Sequence, residues 1–503
     1  NQAGSVWRYA YDAASRVATE TSPPASLTSA SLRGAAIVTS TADAPVITQL
    51  AYDALGNLTR RVEAQGRAEE RSTTYEYDPL GRQVRVIHPT VSVYDSAADA
   101  VLTNGANGLA SRTERSFTPE TRTHYDALGN AVAGRDIAGA VSQKVYDLLG
   151  RVLYDIDALG NITGYQRNAF GDVTRITRYG SSAASLTAPT LTQASQAATR
   201  TRVEAALAAP TFNHAQDRVT SQTFDRAGRL TETAEAAAYV RVWDTGTPTG
   251  QSITAAARTR HSYDAFGQRV QTQVLRSAPD TWSTTTFYFD AAGQETARID
   301  ALGHLTWQRW DNLGQLTETR EYSAPRVAGS WSLTGYGSVA NPSGDDRTVR
   351  YGYDVLGRLT SETRVDTPLS TVSGGPVSSA TLPTVTSTRG NAVTRYAYDA
   401  VGNRTQVTDA LGAVTTTAYD RLGRAVSVTA PARPGATEGS TLTPLTVYRR
   451  DAHGNVIVQI EHAEAPAGAT ASTPLAANAQ DRTTTSAYNT FGELTRQTTQ
   501  ASQ

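Results

Sequence analysis

Apolar and polar positions alternate along this chain in short runs, separated by a recurring polar break. Leu58-Thr59-Arg60-Arg61-Val62, Val414-Thr415-Thr416-Thr417-Ala418 and Val456-Ile457-Val458-Gln459-Ile460 are representative. Threonine, valine and aromatic residues suit a pleated, half-buried surface, so each run predicts a strand. Where the breaks are closest they fall about ten residues apart, which leaves roughly six residues per strand, an ordinary length. The alternation is impure. Thr174-Arg175-Ile176-Thr177-Arg178 places polar side chains on both faces. A tight sandwich core needs cleaner alternation, so the pattern predicts a long sheet wetted on both sides, suited to the wall of a hollow body.

The break is a six-residue punctuation mark, aromatic-Asp-x-x-Gly-polar, and self-similarity of this kind decides the architecture. Tyr398-Asp399-Ala400-Val401-Gly402-Asn403 is the type example. A ladder runs through Asp126, Asp136, Asp147, Asp157 and Asn168 in steps of 10, 11, 10 and 11. Its glycines are Gly129, Gly139, Gly150 and Gly160. A second ladder pairs Asp290, Asp300 and Asp311 with Gly293, Gly303 and Gly314. A third pairs Asp399, Asp409 and Asp420 with Gly402, Gly412 and Gly423. Isolated copies are Asp53/Gly56, Asp78/Gly81, Asp225/Gly228, Asp264/Gly267, Asp354/Gly357 and Asp451/Gly454, with weaker ones at Asp12 and Asn489.

Asp at the first and Gly at the fourth position fit a type I turn, with the carboxylate accepting local backbone N–H groups. Gly permits φ > 0 where the chain re-enters the sheet through a G1 bulge. A β-branched residue at Gly129 or Gly402 is therefore strongly disfavoured. The preceding residue is aromatic in most copies, including Tyr52, Tyr125, Tyr146, Tyr398 and Tyr419. A ring there can stack on the neighbouring hairpin.

A longer period is superimposed. Asp217-Arg218, Asp346-Arg347 and Asp481-Arg482 each precede a turn residue by eight positions and are separated by 129 and 135 residues. Hairpins are thus nested in blocks of about 130 residues, which predicts insertions gathered on one edge. The regular ladders span 117–180, 286–322 and 394–430. Irregular insertions are expected at about 21–48, 88–121, 180–216, 234–258, 322–346, 365–392, 430–446 and 461–481. The Ala-rich stretch within 180–216 predicts one or two short helices, the second stopped by Pro210, and reads as decoration on the sheet rim rather than a plug or lid.

Composition narrows the function. Among 503 residues the net charge is −1, so there is no footprint for nucleic acid. There is no cysteine, which removes disulfides, thiol catalysis and cysteine-based zinc sites. No apolar run reaches the length of a membrane span. Methionine is also absent, Asn1 included, so 1–503 reads as a single array that is an excerpt of a longer polypeptide.

The recurrent aspartates are the tempting catalytic candidates, since paired carboxylates run many hydrolases. Their spacing is that of turns, and Asn168 and Asn489 replace them where an amide closes the same turn without trading protons. Asp with a following Asn, as in Asp53/Asn57, Asp126/Asn130 and Asp157/Asn161, offers oxygen ligands to calcium. Arg82, Arg151, Arg229, Arg358 and Arg424 stand at that Asn position elsewhere, which disfavours a cation. The seven histidines are scattered without helical zinc spacing. No catalytic, metal or cofactor site is expected, and the aspartates, glycines and tyrosines are read as structural turn residues.

Tyr125-Asp126-Ala127-Leu128-Gly129-Asn130 and Tyr419-Asp420-Arg421-Leu422-Gly423-Arg424 resemble the YD (Rhs) repeat of bacterial Rhs polymorphic toxins, insecticidal toxin complex B and C shells, and teneurins. The resemblance implies an all-β tandem hairpin array forming a long curved or spiralling sheet, the wall of a hollow shell. It also implies a secreted or cell-surface protein of bacterial type. The partners it implies are the remainder of its own polypeptide, including an enclosed C-terminal effector, or a glycan or cell surface in the adhesive alternative. The Asp-Pro-x-Gly-Leu core of toxin-type members has its nearest match in Asp78-Pro79-Leu80-Gly81, where Arg82 follows instead of Leu. Self-cleavage is therefore not assigned.

Overall fold

The computed structural model describes residues 5–33, 36–94, 114–182, 196–236, 238–242, 251–277, 281–325, 346–373, 384–434, 441–465, 469–471, 473, 475, 478 and 480–501. Among the described residues the fold is nearly all β, with 32 strands in one sheet built mainly by antiparallel pairing of strands that follow one another along the chain. Strand lengths follow the turn spacing: Val141–Tyr146, Val152–Ile156, Ile162–Arg167 and Val173–Arg178 are five or six residues each. Among the described residues no helix is long and apolar enough to cross a membrane.

The two ends of each strand differ. A Tyr-Asp turn joins one strand to the next, and the following link lies at the far end of that second strand. All aromatic-preceded turns of a unit consequently lie along one edge. The far edge of the first unit carries the turns at Asp136 and Asp409, that of the second the turns at Asp157 and Asp300, and the far edges also carry the long insertions.

Several insertions read as irregular are β-hairpins instead. Ala25–Arg33 pairs with Ala36–Ala44, Val91–Tyr94 with Glu114–Phe117, and Ala238–Val242 with Gln251–Ala255. Their Ser, Thr and Ala content hid an extended backbone. Thr28 and Thr41, opposite each other, share a hydroxyl hydrogen bond of 2.9 Å, a cross-strand pair that stabilises such an arm. The predicted helix forms at Gln196–Ala208 and stops before Pro210. The other helix expected in this stretch falls on 183–195, outside the described residues.

The strands divide into two compact units. One comprises 1–123, 136–139 and 394–503, and the other 124–135 and 140–393. In the first unit the C-terminal strands lie against the N-terminal ones. The Thr490 hydroxyl donates to the Thr90 carbonyl (3.1 Å), His453 Nε2 lies 2.6 Å from the Glu69 carbonyl oxygen, and the Ser5 hydroxyl donates to the Arg421 carbonyl (3.2 Å). Phe491 packs on His88 with ring centroids 5.8 Å apart, and Leu27 pairs in parallel with Arg450. Residues at the tips of the Asp420, Asp451 and Asn489 turns thus meet the start of the chain, including its inter-strand connections.

Most strand residues are half-buried, as a doubly wetted sheet requires. Among the described residues, buried apolar side chains form three small clusters besides scattered sites such as Val62 and Ala64. Val145, Ile156 and Ile162 pack with Val203 of the helix and with Tyr154 and Tyr179. Ala297, Ile299 and Leu305 pack with Tyr322, Tyr288 and Trp307. Leu445 and Val447 pack with Ala469 and Ile460. In the second unit the clusters occupy the same positions, seven and nine residues after the turn aspartate (Tyr154 and Ile156; Ala297 and Ile299). The helix therefore lies on a sheet face and not on the rim, because Val203 has an apolar patch to cover there. At several other turns the seventh position carries charge. Glu232 pairs with Arg258 and Arg260, Glu318 with Arg320 and Arg350, and Arg85 with Glu76 and Glu120.

Ile156→Ala is expected to cost about 2–4 kcal/mol of stability, because it opens a cavity under the helix. Leu148→Ala, at an exposed turn tip, is expected to stay within about 0.5 kcal/mol. Urea unfolding of the two variants checks this.

Candidate functional site: the turn edge

Asp399 shows how one side chain closes the turn. Its carbonyl accepts the Gly402 N–H (3.2 Å) and its own N–H donates to the Asn403 carbonyl (3.0 Å). Oδ1 accepts the N–H groups of Val401 (3.0 Å) and Asn403 (2.8 Å), and Oδ2 accepts from Asn403 Nδ2 (2.8 Å). Gly402 has φ +97°, which an L side chain rarely adopts. Where Arg takes the fifth place the pattern persists: Arg151 Nε donates to Asp147 Oδ2 at 2.7 Å, and Arg82, Arg229, Arg358 and Arg424 do the same to Asp78, Asp225, Asp354 and Asp420. The same N–H to Oδ1 pair is made at Asp53, Asp126, Asp157, Asp264, Asp290, Asp300, Asp311, Asp409 and Asp451. Asp136 accepts from Ala138. The glycines Gly56, Gly81, Gly129, Gly139, Gly150, Gly160, Gly228, Gly267, Gly293, Gly303, Gly314, Gly357, Gly412, Gly423 and Gly454 all have positive φ. Ser15 replaces Gly in the Asp12 turn and is held at φ +60°.

Asn168 and Asn489 invert the chemistry without losing it. Asn168 Oδ1 accepts from Phe170 and Asp172 (both 3.0 Å), while its Nδ2 donates to Asp172 Oδ2 (2.9 Å). Asn489 likewise donates to Glu493 Oε2 (2.6 Å). The carboxylate has moved from the first place to the fifth, a compensation visible in the sequence only when both positions are read together.

The aromatic residue does more than stack. Tyr146 donates its hydroxyl to the Ala131 carbonyl (2.9 Å), Tyr52 to Val17 (3.0 Å) and Tyr419 to Arg404 (3.0 Å). Tyr77, Tyr263, Tyr353 and Tyr488 reach Leu58, Leu230, Leu316 and Val456 in the same way. In every case the acceptor is the fifth residue after the first residue of the preceding turn on the same edge. Trp310 reaches Glu295 through its indole N–H. Arg167 and Arg450, which replace the aromatic residue, place a guanidinium N–H on the equivalent carbonyls of Val152 and Ala425. Tyr125 and Tyr398 stand at the same strand end. Return contacts come from the fifth-position arginine: Arg16 Nη1 and Arg229 Nη1 each donate to the next turn's Asp carbonyl at 3.0 Å and lie over Tyr52 and Tyr263.

Burial raises the Tyr77, Tyr146 and Tyr353 hydroxyls above the usual tyrosine value. Eight of the turn carboxylates move the other way. Asn57 and Arg82 side-chain hydrogen bonds lead in lowering Asp53 and Asp78, and the backbone N–H of the fifth residue leads for Asp12, Asp225 and Asp354. At Asp147, Asp157 and Asp399 burial opposes the shift most strongly, yet the hydrogen bonds outweigh it. The carboxylates are spread along two edges, each engaged by its own turn. Among the described residues no three acidic or histidine side chains gather as a metal site would require.

The three Asp-Arg pairs share a further duty. Asp217 Oδ1 accepts the Gly180 N–H (2.9 Å), Asp346 Oδ1 the Ser323 N–H (3.0 Å), and Asp481 Oδ1 the Ala463 N–H (2.9 Å). Each donor stands twelve residues after its turn residue, Asn168, Asp311 or Asp451. The carboxylate thus pins the two ends of a long insertion together, which gives the longer period a physical cause.

The family model described as RHS Repeat matches residues 52–90, 383–414 and 398–434. Two of these windows open on the tyrosine of a Tyr-Asp turn. The matched windows are similar to Rhs repeats. A search of curated proteins gave no match. Among solved structures, the crystal structure of TcdB2-TccC3-Cdc42 aligns over 94% of this chain and 26% of that one, with 16% identity and TM-score 0.30. The TcdB2-TccC3 crystal structure aligns over 90% and 26%, with 16% identity and TM-score 0.28. The Photorhabdus luminescens Tc holotoxin pore aligns over 98% and 30%, with 14% identity and TM-score 0.20. The chain spans about a quarter of the length of the first two.

At Asp12, Asp53, Asp78, Asp147, Asp157, Asp225, Asp354 and Asp399 the pKa is lowered in the fold, so their stabilisation is present above the ordinary Asp value and is lost as pH falls through the folded-state value. Asp399→Asn is expected to flatten the acid limb of a stability–pH profile, and Asp399→Ala to lower stability at neutral pH as well; thermal melts from pH 7 to pH 2 check both. Tyr146→Phe, which leaves the Ala131 carbonyl without its donor, is expected to cost about 1 kcal/mol in urea unfolding.

Proposed function

We propose that this chain is a non-catalytic wall segment of a toxin-associated shell, and that the wall screens an effector polypeptide carried by the same longer chain. The observation that carries this reading is the contact of late turns with the start of the chain in the first unit. Thr490 on Thr90, His453 on Glu69 and Phe491 on His88 join stretches roughly 400 residues apart. A sheet that lays its turn edge on an earlier stretch of itself can grow into a continuous wall, with no separate closing element at each course. The equivalent tip positions in the second unit are open: Leu149, Phe170, Phe266 and Leu313 are 74, 92, 90 and 81% exposed. In the wall reading these tips seat on further courses of repeats.

The reading assigns the aspartates to geometry and leaves chemistry to whatever the wall surrounds. Export to the cell surface or medium belongs to the same proposal. Adhesion through exposed tips is the competing use of such an edge.

Limited proteolysis of the full-length parent tests it. A polypeptide tail carried downstream is expected to survive a protease dose that destroys the same tail expressed alone, and to become sensitive in a Phe491→Asp, Thr490→Ala variant that loosens the contact between courses. Prompt digestion of the tail beside an intact wall would remove the encapsulation reading.

A further inference from the structure

We infer that His214 is a pH-operated latch, holding the helix Gln196–Ala208 on the sheet only while both ring nitrogens carry protons. The inference stands apart from the shell reading.

The geometry sets the proton count. His214 Nδ1 lies 2.7 Å from Asp217 Oδ2, and Nε2 lies 3.0 Å from the Leu207 carbonyl oxygen in the last turn of the helix. An ionised carboxylate and a carbonyl only accept, so each contact needs an N–H from the ring. An imidazole supplies two N–H groups only as the cation. Loss of one proton must therefore break one of the two links, between the helix end and the ring or between the ring and the clamp.

The clamp is already occupied on its other oxygen. Asp217 Oδ1 accepts the Gly180 N–H, so the same carboxylate pins the insertion ends and anchors the latch. The remaining surroundings favour the charged ring. Tyr179 and Phe212 flank it at centroid distances of 5.9 and 5.0 Å, and Asp217 is the acidic group in contact. On the helix, Arg200 and Glu204 pair with each other, and Arg202 is its other charged residue. Consistent with this, the His214 pKa is raised above its ordinary 6.5, first by the hydrogen bond to Asp217 and then by the Leu207 carbonyl. The latch's contribution is thus complete below about 6.5 and disappears as pH climbs through the raised folded-state value.

What the latch restrains has consequences. The helix is 13 residues long and holds the sheet through the fully buried Val203 and the half-buried Ala206 and Leu207. A helix of this length is marginal on its own in water. Release would uncover Val145, Ile156 and Ile162, an apolar patch in an otherwise wetted sheet. A built-in comparison exists in the other unit: His462 Nδ1 meets Asp481 Oδ2 at 2.9 Å, but Nε2 of that ring has no acceptor among the described residues. The His462 ring thus makes one such contact where His214 makes two.

Two measurements on the whole chain test the latch. Proton NMR of the His214 ring should give a titration midpoint above the free-histidine value. Amide hydrogen exchange over 200–208, corrected for intrinsic rates, should speed up by roughly three- to tenfold between pH 5.5 and pH 8.5. In His214→Gln the exchange should be fast at both values, and the far insertion clamped by Asp481 should show no such change in the native chain. A His214 midpoint at or below that of free histidine, or helix protection equal at both pH values in the native chain, would overturn the proposal. Persistence of the pH dependence in His214→Gln would overturn it equally.

Discussion

Everything in this array hangs on a carboxylate that faces its own backbone. One Asp side chain receives two main-chain N–H groups and the side chain of the fifth residue, while its carbonyl receives the glycine N–H. Four contacts made within five residues fix the reversal locally, before any long-range contact is needed. The sheet needs little apolar burial because its register is set at the turns and transmitted through the strands. That explains how a chain with so many threonines and arginines on both faces builds 32 paired strands.

Neighbouring hairpins are then joined by a second polar link. A hydroxyl, an indole or a guanidinium at the strand end reaches the same carbonyl of the preceding hairpin. Shape at that position matters less than having an N–H or O–H at the right distance. Tyrosine suits it best because the ring packs along the strand and its far end still donates.

The turns were legible in the letters because their causes are local. Asp399, Gly402 and Asn403 interact with one another, and a reader of six residues sees the whole device. The tyrosine's acceptor lies 15 or more residues away in sequence, so Tyr146 read alone suggested only stacking. Arg167 and Arg450 were unreadable as tyrosine substitutes for the same reason. The insertions went the other way. Ala25–Ala44 carries the same residue types as a loop, and only pairing between Thr28 and Thr41 makes it an arm. The helix was visible in its alanines, but the patch it covers is assembled from Val145, Ile156 and Ile162 on three separate strands.

The two edges of the strip have different freedoms. The aromatic turns are of one size and interlock from hairpin to hairpin, so an added residue there would displace every later course. The opposite links range from a four-residue reversal at Asp157 to excursions whose ends lie 37, 23 and 18 residues apart, pinned by Asp217, Asp346 and Asp481. Lengthening, shortening or exchanging a loop on that side leaves the pleat unchanged. Such a strip behaves like a bound book: the spine fixes the order of the pages, and the fore-edge is where new material can be tipped in.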